Sequence, residues 1–272
     1  MPRKLLWKKK KNNFFMLIDS HAHLEMKEFD SDREDVIRRA ESEGIDFIVT
    51  VGTNLNLSLK AVTLAEKHEN IYATIGIHPH DVAKTDNKTL DALKELVHTR
   101  KKIVAYGEIG LDYFRNISSQ EKQLESFGLQ LELAKELDLP VVIHDREAHQ
   151  QSLETVRSSG VRRGVFHCFS GDYEMAQKCM DLGFYISIPG VVTFDKSKTL
   201  QDVAARIPLS SMLLETDAPY LTPVPHRGKR NEPSFLVHTA KKVAEIRKIS
   251  REEVARETSV NAMNLFGIKS SS

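Results

Sequence analysis

Two histidines, His21 and His23, close the short apolar run "LIDSHAHL" at residues 17–24, and Asp19 stands two residues before the first. In a strand, side chains two apart share a face, so Asp19, His21 and His23 would look the same way. Comparable residues recur at the ends of later apolar runs: His78 after "IYATIGI", Glu108 in "IVAYGEIG", His144 in "LPVVIHD", His167 in "GVFHCFS" and Asp217 in "MLLETD". A single histidine in an apolar strand is ordinarily a hydrogen-bonded core residue. Four histidines (21, 23, 144 and 167) and two carboxylates (Glu108 and Asp217) are not explained by packing, because unpaired polar groups are costly to bury. A metal site removes that cost, and imidazole with carboxylate suits zinc, manganese, iron or nickel. Six ligands exceed the three of a single catalytic zinc, so two divalent metals sharing a bridging carboxylate fit better.

Such residues need elements that bring them together. Eight apolar runs alternate with helical patterns: 16–21, 46–52, 71–78, 103–110, 139–145, 164–170, 184–190 and 212–217. Several, such as "FIVTV" and "PVVI", are apolar without alternation, as strands covered on both faces are. Ser31 with Glu34 and Ser118 with Glu121 read as helix-starting capping boxes, and Gly44 as a stop. Asp172 and Gly183 bracket another helix, and two more follow near 234–247 and 250–265. Eight βα units predict an α/β fold, a (β/α)8 TIM barrel with its metal site at the C-terminal ends of the strands. His21 and His23 on the first strand and Asp217 on the last would be neighbours only if the sheet closes. An open doubly wound sheet is the alternative, but no G-x-G-x-x-G follows the first strand. No linker divides the chain, so residues 16–268 read as one hydrolase domain.

Residues 1–15 carry six basic residues and no acidic ones, and read as a disordered basic extension. The rest holds 33 basic against 38 acidic residues, a formal net of −5 that argues against tight electrostatic binding of DNA by the body. No apolar run is long enough for a membrane span, and "FFMLI" is too short for a signal peptide. Two cysteines, Cys168 and Cys179, make no zinc spacing or disulfide framework, so a reduced cytoplasmic setting is expected.

The stretches "IDSHAHL", "GIHPH", "GEIGLDY", "PVVIHDREA", "FHCFSG" and "LLETDAPYLTPVPHRGKRNEP" follow in order from 17 to 233. In them the chain resembles the TatD-related metal-dependent deoxyribonucleases of the amidohydrolase superfamily. The resemblance implies that His21, His23, Glu108 and Asp217 hold one metal and that Glu108, His144 and His167 hold the other, with Glu108 bridging. It implies DNA as substrate, with Asp217 and Glu108 as catalytic groups; these ligands suit zinc, nickel, magnesium or manganese, and a barrel mouth ringed by loops would take single-stranded ends more easily than duplex. No obligate protein partner is implied.

Around this set, Asp19 and Glu215 are either carboxylates that orient a ligand histidine or buried hydrogen-bonded groups with no metal role. Arg227, Lys229 and Arg230 follow the last strand, where barrels often bind phosphate, and Arg115 follows the fourth. With His78 they are candidates for substrate contact; Tyr113, Phe114 and Tyr220 could stack on bases. Two competing readings remain: a bimetal amide or ester hydrolase, such as an aminoacyl-nucleic-acid deacylase, and a non-catalytic barrel that binds nucleic acid or a partner.

Overall fold

Eight strands run parallel in one sheet, in chain order: β1 (Leu17–Ala22), β2 (Ile45–Val51), β3 (Ile71–Ile75), β4 (Ile103–Asp112), β5 (Val141–Arg146), β6 (Gly164–Phe166), β7 (Phe184–Ile188) and β8 (Met212–Leu214). The structure, a computed structural model, describes residues 16–269, so the expected extension at 1–15 lies outside the described residues. Each strand leads into a helix: α1 (Arg33–Ser42), α2 (Leu55–Lys67), α3 (Asn87–Thr99), α4 (Gln120–Glu136), α5 (His149–Ser159), α6 (Tyr173–Asp181), α7 (Lys198–Arg206) and α8 (Leu236–Arg247), with α9 (Arg251–Phe266) last. This is the (β/α)8 barrel that the alternating runs predict.

The runs lack alternation because both faces of the sheet are covered. On one side Ile45, Ile71, Tyr106, Ile143 and Phe166 join the larger core with helix residues such as Phe127 and Leu131. A second cluster gathers Ile18, Val49, Val142, Val165 and Leu213 from five strands. Met263, Leu265 and Phe266 of α9 close it. Asn261 donates to the carbonyls of Leu209 and Met212 at 2.8 Å each, and Ser259 to that of Met16 at 3.0 Å. α9 thus seals the end where the strands begin.

Several local details differ from the sequence reading. β3, β6 and β8 stop at Ile75, Phe166 and Leu214, so His78, His167 and Asp217 sit in the loops beyond. Glu108 lies inside β4 rather than at its end. Helix α1 begins after Asp32, not Ser31, and that carboxylate is engaged by Arg230 at 2.7 and 2.8 Å instead of capping. The cap of α4 is Ser119, because Ser118 is taken by the His80 carbonyl at 3.2 Å. Asp172 caps α6 as expected, and Ser250 caps α9.

Phe266 is nearly buried in the α9 plug. Phe266→Ala should cost about 3–5 kcal/mol of unfolding free energy by leaving a cavity. Thermal unfolding should show this as a lower midpoint, with metal binding by the folded fraction unchanged.

Candidate metal centre

The site is assembled where the sheet closes on itself. β8 meets β1 through a single bridge, Ala22 to Ala218, with Asp217 N–H donating to the His21 carbonyl at 2.9 Å and His23 N–H to that of Ala218 at 2.7 Å. The residues that zip the barrel shut are therefore those that carry the candidate ligands. Asp217 has φ +56°, a left-handed conformation that aspartate tolerates, in the sharp turn at the end of β8.

Glu108 is delivered from β4 by a different device. The register of β4 against β5 shifts between Tyr106 and Ile109, a bulge of the kind that re-aims a side chain. Gly107, at φ +156°, has room only for a hydrogen: a Cβ there would come within 2.6 Å of the Val142 carbonyl oxygen.

The six expected residues converge. His21 Nε2 and His23 Nε2 are 3.3 Å apart. Glu108 Oε2 lies 3.5 and 3.8 Å from them, and Asp217 Oδ1 3.7 and 3.4 Å. The edge of a tetrahedron with ligand bonds of about 2.1 Å is about 3.4 Å, so His21, His23 and Glu108 have about the spacing of one coordination shell, with Asp217 beside the two imidazoles. The other Glu108 oxygen, Oε1, is 2.6 Å from His144 Nδ1 and 2.8 Å from His167 Nε2. Those two nitrogens are 3.3 Å apart. One carboxylate thus faces two clusters, one with each oxygen. The rings of His21 and His167 stack at 3.9 Å between centroids.

The donor set fits a divalent cation. His23 Nδ1 is occupied by the Val51 carbonyl at 3.0 Å and His144 Nε2 by Asp112 at 3.3 Å, which leaves each opposite nitrogen with a lone pair turned to the cluster. Burial opposes ionisation of Glu108, but the imidazoles of His167, His78 and His144 hold its carboxyl well below the usual range. Asp217 is likewise lowered by His23 and His21 against its burial. His23 and His167 are raised well above the usual value, since their carboxylate partners outweigh desolvation. A buried pocket that stabilises anions and attracts positive charge to this degree is suited to metal.

His78 behaves differently. Its Nδ1 accepts from the His80 amide at 3.1 Å, so the proton sits on Nε2, 3.4 Å from Glu108 Oε1. Burial pushes its pKa down to about 4, which makes it a neutral N–H donor at the edge of the cluster. Of the two supporting carboxylates, Glu215 Oε1 lies 3.5 Å from His167 Nδ1 and accepts the Cys168 amide at 2.6 Å. Asp19 touches no imidazole. It accepts from the amides of His21 and Thr216 and from the Thr216 hydroxyl, bracing the seam, while burial raises its pKa to about 8. Among the basic candidates, Arg230 is spent on Asp32, Arg227 stacks on Phe194 at 4.0 Å, and Lys229 and Arg115 are exposed.

Two carboxylates escaped the sequence reading. Glu25 Oε1 is 3.5 Å from His23 Nδ1, and Asp112 Oδ2 accepts from His80 at 2.8 Å as well as facing His144. Asp112 is the last residue of β4, and Glu25 lies in the turn just beyond β1.

A family model described as TatD related DNase matches residues 18–267. The chain belongs to this family. It is 42% identical over 255 residues to the uncharacterised metal-dependent hydrolase YabD of Bacillus subtilis, covering 93% of this chain and all of that one. It is 37% identical to the 3'-5' ssDNA/RNA exonuclease TatD of Citrobacter koseri, covering 93% and 99%. The crystal structure of the TatD homologue YJJV from Escherichia coli superposes with a TM-score of 0.89 at 33% identity, over 93% and 98% of the two chains. The protein is a metal-dependent hydrolase of the TatD family.

Asp112→Asn should weaken metal binding about 10–100-fold, because His144 loses the anion that orients its ring. Metal titration of the folded variant, with a normal circular-dichroism spectrum as control, checks this.

Proposed function

We propose that the protein is a nuclease that hydrolyses phosphodiester bonds of DNA, acting on single-stranded ends, with two divalent ions held by His21, His23, Glu108, His144, His167 and Asp217. The observation that carries this reading is Glu108, whose two oxygens face two separate clusters of nitrogen and oxygen donors. Magnesium, manganese, zinc and nickel all suit these ligands. When bound, such ions lower the pKa of a water and polarise a phosphoryl oxygen. The names of relatives, ssDNA/RNA exonucleases among them, supply the substrate class.

The chain's own groups take the remaining roles. Asp217 is the more exposed of the two cluster carboxylates, at 13% of its side chain against 3% for Glu108. It orients the attacking water and accepts its proton as the new P–O bond forms and the bond to the sugar oxygen breaks. His78 donates Nε2–H to the phosphate or to the departing oxygen. Arg115, Arg227 and Lys229 meet flanking phosphates, and loops ringing the mouth admit one strand more readily than two. Among the described residues no helix is long and apolar enough to cross a membrane, and Cys168 and Cys179 are free. A cytoplasmic setting agrees with both.

With magnesium or manganese, the protein should release nucleotides from an end-labelled single strand, and chelator should abolish the release. Asp217→Asn should lower kcat about 100- to 10,000-fold while an oligonucleotide still binds. Metal-loaded protein that spares DNA and RNA but cleaves a carboxylic ester or amide would overturn this reading.

A further inference from the structure

Some of the arginines around the barrel are already neutralised. Arg33, Arg39 and Arg230 pair with Asp30, Glu232 and Asp32. Arg146 is different. It is the last residue of β5, two beyond the candidate ligand His144, so it lies on the same face of the strand and about 6.6 Å further out toward the mouth. It is exposed, and no carboxylate among the described residues pairs with it. Its guanidinium instead lies 4.1 Å from the ring centroid of Phe114, which follows β4 and is 54% exposed.

An arginine seated over an aromatic ring has already lost some of its rotamer freedom, and its donors stay open for an anion. A large exposed phenyl ring on a loop is in turn unusual unless something covers it. The same pairing recurs at Arg227, over Phe194 on the β7–β8 side.

Resting on the nuclease reading, we propose that Arg146, held in place by Phe114, binds the phosphate adjacent to the reacting one in a single-stranded nucleic acid. Arg146 stands outside the metal ligands, so the phosphate it meets is one nucleotide away from the bond that breaks. The exposed face of Phe114 is then free to stack on the base of that nucleotide. Phe114 acts as a positioning residue for the guanidinium.

Fluorescence anisotropy of a labelled single-stranded oligodeoxynucleotide, measured with chelator across a range of salt, tests this without requiring turnover. Arg146→Ala should weaken binding about tenfold or more. It should also reduce the slope of log affinity against log salt by about 0.7, the share of one phosphate on a single strand. Arg146→Lys should restore the slope but not the full affinity, and Phe114→Ala should weaken binding with the slope intact. In turnover, Arg146→Ala should shrink the preference for an oligonucleotide over bis(4-nitrophenyl) phosphate, which has no neighbouring phosphate, about tenfold. An unchanged slope in Arg146→Ala, or a wild type that does not bind the oligonucleotide, overturns the proposal. A wild type that binds but hydrolyses neither phosphodiester overturns the nuclease reading and leaves the phosphate contact standing.

Discussion

Everything at the mouth of this barrel depends on the closure between its first and last strands. That closure is slender: one bridge, two main-chain hydrogen bonds at the ligands, and the Ser20 hydroxyl on the Leu214 carbonyl at 2.9 Å. Asp19 adds two hydrogen bonds across the same line, from the Thr216 amide and hydroxyl. With few ladder bonds available, the buried side chains do the fastening, and the same side chains place His21, His23 and Asp217 within one coordination radius.

The opposite wall solves a different problem. Glu108 must present both of its oxygens, and a regular strand would bury only one edge of the carboxylate against a neighbour. The bulge at Gly107 turns the residue inward, and the missing side chain lets β4 and β5 approach closely. The imidazoles around Glu108 then keep it ionised against the cost of its burial. Strand geometry, glycine and electrostatics thus serve one carboxylate.

Much of this was legible in the sequence. The eight apolar runs correspond one by one to the strands, because a barrel strand is buried on both faces and its pattern is continuous. The six candidate ligands stood out because polar residues in such runs need a reason. What escaped was of two kinds. Glu25 and Asp112 lie just past the apolar runs, where a carboxylate looks like ordinary loop polarity; only their partners reveal them. Arg230 looked like a phosphate contact, yet Asp32, some two hundred positions away, claims it. Arg146 drew no notice in the sequence, and its partner is a ring, Phe114, from beyond the neighbouring strand. Pairing across such separations leaves no local pattern to read.

The plug formed by α9 also reaches the site, though at a distance. Met263, Leu265 and Phe266 cover the beginnings of the strands, whereas the candidate ligands lie at or beyond their far ends. Ile18 and Leu213 belong to the same apolar cluster, three residues before His21 and four before Asp217. A helix that touches no ligand thus anchors both chain segments that meet at the seam, and loosening it would be felt at the opposite end of the barrel.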